Sequence, residues 1–271
     1  MKSHRTLILS YLFCAGALLM MTSAQAFDRG DRGGRFGGTT TRSGTYQNRF
    51  GSGTFNQSVT REPGSTQRFS TWTNANGGTG NHTADNTWNS STGTGTHQSS
   101  TTYANGKTSS SSGDWTKTGT GSASYTGTHT GVNGQVTDVS KSVTDSDGTK
   151  TIDSTYTNPT TGKSSTVDKT ITDTNGTKTV DTTTTGPNGK SATSDQSYSK
   201  TSNGWTQTGT VTGPNGGVTT DNKTVSYVNN GNGTITRTAT GSITGPNGNT
   251  TPIDNTETYT KTFTPNPPVS P

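Results

Sequence analysis

The sequence predicts an all-β protein, a repetitive antiparallel meander of strands about 10 residues long forming a thin, single-layer sheet with disordered termini. Two observations carry this. Asn-Gly and related pairs recur between Asn105-Gly106 and Asn247-Gly248 at a mean step of about 14 residues, a spacing of turn signals that fits short strands. Between them stand segments such as "STVDKTITD" and "TITRTATGSIT", rich in β-branched Thr, Val and Ile, which suit a pleated, half-wet surface.

The turns fall into two kinds. "ANGK", "VNGQ", "TTGK", "GPNGK", "GPNGG" and "GPNGN" alternate with "DSDGT", "DTNGT", "TSNGW" and "NGNGT", giving a two-strand period of about 28 residues. Alternation of this sort places odd turns along one side of a sheet and even turns along the other. Asn, Asp and Gly are favoured because a two-residue hairpin requires positive φ at both central positions. One double step predicts a further turn near Ser112-Gly113. Within the strands, one parity carries large residues (Val167 and Ile171; Ile235, Ala239 and Ile243; Tyr259 and Phe263), and the other is read as Thr, Ser, Asp or Lys. Residues 69–104 keep Trp72, Trp88 and an Asn76-Gly77 pair, so the period extends back to about residue 69 and the repeat region runs over 69–264.

The ends read differently. Lys2 and Arg5 precede an apolar run from Leu7 to Met21 and then Ala24-Gln25-Ala26, the pattern of a secretory signal peptide over 1–26. This predicts a secreted destination, in the periplasm, at the cell surface or outside, with no membrane span in the mature chain. Cys14 lies within that leader, so the mature chain is expected to have no disulfide and no thiolate metal site. Residues 27–68 carry Arg29, Arg32, Arg35, Arg42, Arg49, Arg61 and Arg68 against Asp28, Asp31 and Glu62 and lack the turn spacing. They read as a flexible basic arm. Residues 265–271 form a Pro-rich tail that cannot donate to a ladder.

Beyond residue 26 there is no Leu and no Met, which excludes a conventional globular core. Chemistry is equally sparse. His82, His97 and His129 are the histidines beyond the leader, and Ser and Thr are too abundant for nearness in sequence to a base to mean anything. No cofactor, metal site or catalytic residue is predicted, and the protein is read as non-enzymatic. "TDSDGTKTID" and "TDTNGTKTVD" set Asp at matched places around Gly turns, but each supplies only two or three carboxylates where a hard cation takes six to eight oxygens. Asx side chains bonding their own turn backbone are the simpler account. In the arm, Arg29, Gly30 and Asp31 resemble the adhesion tripeptide recognised by integrins. "RGDRGGRF", with Arg29, Arg32 and Arg35, resembles RGG-type nucleic-acid segments and implies contact with extracellular DNA or an anionic polysaccharide. Rows of "TxT" resemble the ice-binding faces of Thr-rich antifreeze proteins.

The region from about 100 to 264, with its recurring "TGPNG" turn, resembles Thr/Gly/Asn-rich repeat regions of secreted and surface proteins of Gram-negative bacteria, including adhesin stalks. The resemblance implies a structural or adhesive component of a cell surface or matrix. The exposed end strands of an open sheet would drive self-association through their unpaired N–H and C=O groups. A periplasmic or extracellular carbohydrate- or ice-binding module, with Trp115 or Trp205 as contact surfaces, is the alternative, and a largely disordered secreted chain the third.

Overall fold

The computed structural model describes residues 37–48 and 51–265, with side chains as far as Thr262. Sixteen strands follow one another: β1 (Gly38–Asn48), β2 (Gly51–Glu62), β3 (Ser65–Asn74), β4 (Thr79–Asn89), β5 (Thr94–Thr102), β6 (Thr108–Gly119), β7 (Ser122–Thr130), β8 (Val136–Ser146), β9 (Thr149–Thr157), β10 (Ser164–Thr174), β11 (Thr177–Thr185), β12 (Ser191–Lys200), β13 (Gly204–Thr212), β14 (Val218–Asn229), β15 (Thr234–Thr244) and β16 (Thr250–Pro265). Each pairs antiparallel with its neighbours in sequence, and β1 pairs with β16 along its whole length, from Gly38↔Pro265 to Asn48↔Asn255.

This closure corrects the expected open meander. The sheet is a closed barrel, and the end strands that were to be exposed edges satisfy each other's backbone groups, helped by a Ser43–Thr260 hydroxyl contact of 3.2 Å. Edge pairing therefore finds no unpaired strand among the described residues. Residues 38–48 and 51–68 are corrected as well. Expected as part of a flexible arm, they form β1, β2 and the start of β3. Arg29, Gly30, Asp31, Arg32 and Arg35, the signal peptide and residues 266–271 lie outside the described residues.

The two kinds of turn sit at opposite ends of the barrel and are built differently. At the end that holds the start of β1, Asp147-Gly148 and Asn175-Gly176 make two-residue turns with φ of 51° and 78°, and 52° and 78°, the doubly positive geometry that suits strand twist. At the distal end the "GPNG" corners are longer. Gly189 N–H donates to Gly186 O at 2.9 Å and Gly186 N–H donates to Lys190 O at 2.9 Å, with Pro187 at the second turn position and positive φ at Gly189 alone. The same pair of bonds recurs at Gly213 and Gly245. The turn expected near Ser112-Gly113 is instead Thr120-Gly121, and Gly113 lies in the middle of β6.

Burial alternates along the strands, and each residue classed as buried (among them Tyr125, Val139, Val143, Val225, Tyr259 and Gln207) belongs to one parity. That parity is the concave one. Side chains two strands apart meet on it: Phe55 and Tyr259 across β1, His97 and Tyr125 across β6, and Gln196 and Asp221 across β13. Each of these contacts spans a glycine of the intervening strand, Gly44, Gly113 or Gly209. Sixteen strands ~4.8 Å apart and tilted ~40° would close as a round cylinder roughly 30 Å wide, the size at which barrels enclose an aqueous channel. The outer wall is largely Thr and Ser, joined in cross-strand hydroxyl pairs such as Thr39–Thr60 (2.9 Å), Thr87–Thr96 (2.8 Å), Thr244–Thr250 (3.0 Å) and the close Thr144–Thr151 and Thr172–Thr179 pairs. Each is of a kind worth about 0.2–1 kcal/mol. The "TxT" rows thus have a structural use.

Candidate functional site: the inner wall of the barrel

The inner wall gathers the chain's larger chemistry. Among strand aromatics with described side chains, only Phe69 faces outward, 47 % exposed. Trp72, Trp88, Trp115 and Trp205 all point inward, by the registers Phe55↔Trp72, Trp88↔Gly95, Trp115↔Tyr125 and Trp205↔Val225. Several of the inward rings lie over glycines of their own or the neighbouring strand. Tyr125 covers two: a Cβ at Gly113 would stand 2.5 Å from its Cζ, and one at Gly127 2.5 Å from its Oη. Gly44, which pairs with both Phe55 and Tyr259, leaves space for those two rings to approach to 6.4 Å across it. Glycine here serves close approach and lets the wall curve.

Three aromatic and cationic stations follow round the wall. In the first, Tyr125 lies 5.0 Å from Trp115 and 6.4 Å from His97, with Lys141 Nζ 5.5 Å from its ring centre. In the second, Trp205 lies 5.8 Å from Tyr198 with Lys223 Nζ 4.9 Å from its ring. Beside it is a closed polar network: Gln207 Nε2 donates to Gln196 Oε1 (2.8 Å) and Asp221 Oδ2 (2.9 Å), and Gln196 Nε2 donates to Asp221 Oδ1 (3.0 Å). In the third, the Arg42 guanidinium lies 4.1 Å from the Tyr259 ring and 5.9 Å from Phe55. Glu257 is shared there between Arg42 (4.0 Å) and Arg237 (3.6 Å).

Charge is sorted between the walls. Every Lys and Arg in the described strands points inward: Arg42, Arg68, Lys141, Lys169, Lys223 and Arg237 near mid-strand, and Arg61, Lys117, Lys150, Lys178, Lys200 and Lys261 nearer the end that holds the start of β1. Lys107, Lys163 and Lys190 lie in distal turns, where Lys107 Nζ donates to Asn133 Oδ1 (3.1 Å) and Lys190 Nζ to Asn215 Oδ1 (3.2 Å). The inward acids are Asp145, Asp173, Asp221 and Glu257. Glu62, Asp85, Asp114, Asp138, Asp153, Asp168, Asp181, Asp195 and Asp254 all face outward. Placing Lys on the polar parity was therefore an error of the sequence reading: Lys169 shares its face with Val167 and Ile171. Their spacing of two was the signal that would have revealed it.

The crowding displaces the pKa values of the inner wall. Burial, and then Lys169, lowers the Lys141 pKa; burial, and then Lys178, lowers that of Lys169. Lys223 is lowered by burial and Arg237, with Asp221 opposing. His82 is lowered by burial and Arg68, and His97 by burial, Lys141 and His82. Burial raises Tyr125, Tyr156 and Tyr198.

The three histidines all face the lumen, and each bonds a cross-strand neighbour: His82 Nδ1 with Thr101 Oγ1 (2.9 Å), His97 Nδ1 with Asn86 Oδ1 (2.8 Å), and His129 Nδ1 with Ser111 Oγ (2.9 Å). No cluster of three or more potential metal ligands occurs among the described residues. At the turns considered for calcium, Ser146 Oγ donates to Asp147 Oδ2 at 3.0 Å. No helix of the described residues is long and apolar enough to cross a membrane. The outer wall of Thr, Ser and Asp also differs from the apolar band with aromatic girdles that a lipid-facing barrel presents. No protein-family model matches the sequence, and no curated protein matches it.

Proposed function

We propose that the protein is a secreted, non-enzymatic carbohydrate-binding module whose binding surface is the inner wall. The observation that carries this is the placement of Trp72, Trp88, Trp115 and Trp205 on that wall, interleaved with amides and hydroxyls. A saccharide offers apolar ring faces with hydroxyls round their edge, and flat aromatic surfaces beside polar groups match both. Trp115 and Trp205, singled out as contact surfaces from sequence, each stand beside a tyrosine at separate stations, with Lys141 over the Tyr125 ring in one and Lys223 over the Trp205 ring in the other. The closed sheet removes the edge strands on which a self-associating adhesive role rested, and an ice-binding role fits poorly. Ice recognition needs a flat Thr lattice, whereas the outer Thr rows follow a convex barrel and are interrupted by Asp153, Asp168, Asp181 and Asp195.

The test is a titration of intrinsic Trp fluorescence with oligosaccharides from alginate and from dextran. Saturable quenching is expected with at least one of them, and the Trp115→Ala/Trp205→Ala double variant should weaken binding by about 10-fold or more, two stacking contacts of roughly 1 kcal/mol each being lost. Phe69→Ala, on the outer wall, should leave affinity unchanged. Absence of saturable binding to either sugar would sink the proposal.

A further inference from the structure

Resting on that reading, we propose that the saccharide taken into the lumen is anionic, a carboxylate- or sulfate-bearing polysaccharide chain held by a lysine belt of Lys141, Lys169 and Lys223. These three lysines stand near mid-strand on the inner wall, on β8, β10 and β14. The inward carboxylates nearest mid-strand are already engaged, Asp221 by two glutamine amides and Glu257 by two arginines. None of the three lysines makes an ion pair among the described residues. Lys141 and Lys223 each lie close to an aromatic ring, so a charged group and a sugar-stacking surface are presented together.

Like charges facing one lumen oppose one another's charging, and their burial adds to that cost. An anionic chain relieves both at once, whereas a neutral chain relieves neither. The outer wall selects the same location. Its strand acids have no strand cation beside them, so an anionic polymer is repelled from the outside and admitted only at the barrel mouths, where focusing of the field favours entry. A saccharide is preferred over duplex DNA as occupant because a duplex hides the flat faces of its bases, which the inner rings would stack on.

The experiment compares binding of alginate, dextran and duplex DNA to the full chain, to K141Q/K169Q/K223Q and to K107Q/K163Q/K190Q. All three proteins retain the N-terminal basic residues and the two variants lose equal charge. Alginate should bind at least about 10-fold more tightly than dextran, and its affinity should fall steeply as salt rises from about 50 to about 200 mM, as release of counterions requires. The lumen triple should lose about 10-fold or more in alginate affinity, and the distal-turn triple less than about 3-fold. Equal losses in the two triples would overturn the lumen belt. Equal binding of alginate and dextran would overturn the anionic specificity while leaving the carbohydrate reading intact, and failure of both sugars would remove that reading too. DNA binding as tightly as alginate would overturn the choice of a saccharide. Should the lumen triple lose its strand spectrum, K141R/K169R/K223R keeps the charge and is expected to keep alginate binding. An affinity indifferent to salt in the unaltered protein would then refute the proposal.

Discussion

The inner and outer walls of this barrel are made from the same sixteen strands, residue alternating with residue, yet they solve different problems. Outward positions are nearly uniform: Thr, Ser and Asp, small enough to diverge on a convex surface and polar enough to meet water, tied in pairs such as Thr87–Thr96. Inward positions are diverse. They hold rings, cations and amides, with glycines where a ring must lie flat, as Tyr125 does over Gly113 and Gly127. Substitution should therefore be cheap on one wall and costly on the other, and neighbouring residues of a single strand provide the comparison.

The largest difference is expected at Ser112 and Gly113. A side chain at Gly113 would drive into the backbone oxygen of Thr126 and the ring of Tyr125, which is 5 % exposed and lies between Trp115 and Lys141. Gly113→Val should cost about 3 kcal/mol, the upper range for overpacking. Ser112→Val, one residue away on the exposed wall, gives up only a 3.4 Å hydroxyl contact with Thr128 and should stay within about 0.5 kcal/mol. Urea midpoints at constant slope measure both. Equal costs would mean that Gly113 does not support the ring as described.

A somewhat smaller loss should follow from opening the amide network. Asp221 accepts from both Gln196 and Gln207, and Gln207 is 6 % exposed. Asp221→Leu leaves two amide donors short of partners and should cost about 2 kcal/mol, in the range for an unsatisfied buried group. Replacing Asp221, Gln196 and Gln207 together by apolar residues should recover part of that loss, because both donors go with the acceptor. A triple variant as unstable as the sum of the single variants would deny the network.

How much of this could be read from the sequence depends on the range of the interaction concerned. Strands and turns are local: Asn175-Gly176 marks its own hairpin, and the two kinds of corner alternate as the two ends of the barrel require. Closure is not local. It pairs residues 38–48 with 255–265, and neither segment carries a mark of the other. The same distance hid β1 and β2, which fall within residues 27–68, where seven arginines stand against three acids and the sequence resembles a solvated arm. Arg42 and Arg68 are at home on strands because the lumen is wet. Gly113 was mistaken for a turn because glycine signals either a reversal or a close approach, and only the ring of Tyr125 distinguishes them. The charge sorting was legible in principle, since Val167, Lys169 and Ile171 share a parity, but only an enclosed aqueous lumen gives apolar and cationic residues a common side.

Acid should probe the inner wall selectively. His82 and His97 are both held below the ordinary histidine value of 6.5 by burial and by nearby Arg68 and Lys141. In the interval just below 6.5 the unfolded chain therefore binds more protons than the folded one. Stability should rise with pH through that interval and be lost as pH falls, until the folded histidines also protonate. Between about pH 7 and about pH 5, above the range where carboxylates ordinarily titrate, the urea midpoint should decline. The His82→Gln/His97→Gln variant keeps a polar group opposite Thr101 and Asn86 and should flatten the decline. A decline of equal size in the double variant would place its origin elsewhere.

The smallest effect is expected on the outer wall, with the opposite sign. Asp153 stands directly across from Asp168, and Asp181 from Asp195. Directly opposed like charges destabilise an antiparallel pair, here in water and at the low end of about 0.2–1 kcal/mol. Asp195→Asn should thus stabilise the barrel by a few tenths of a kcal/mol, and the gain should shrink as salt screens the pair. Asp181→Asn should give a similar gain, and the two together no more than slightly above either alone, since the first substitution already removes the repulsion. Were Asp195→Asn destabilising at low salt, the outer carboxylates would have an attractive partner that strand pairing does not reveal, and the picture of an outer wall that merely tolerates its charge would have to give way to one that uses it.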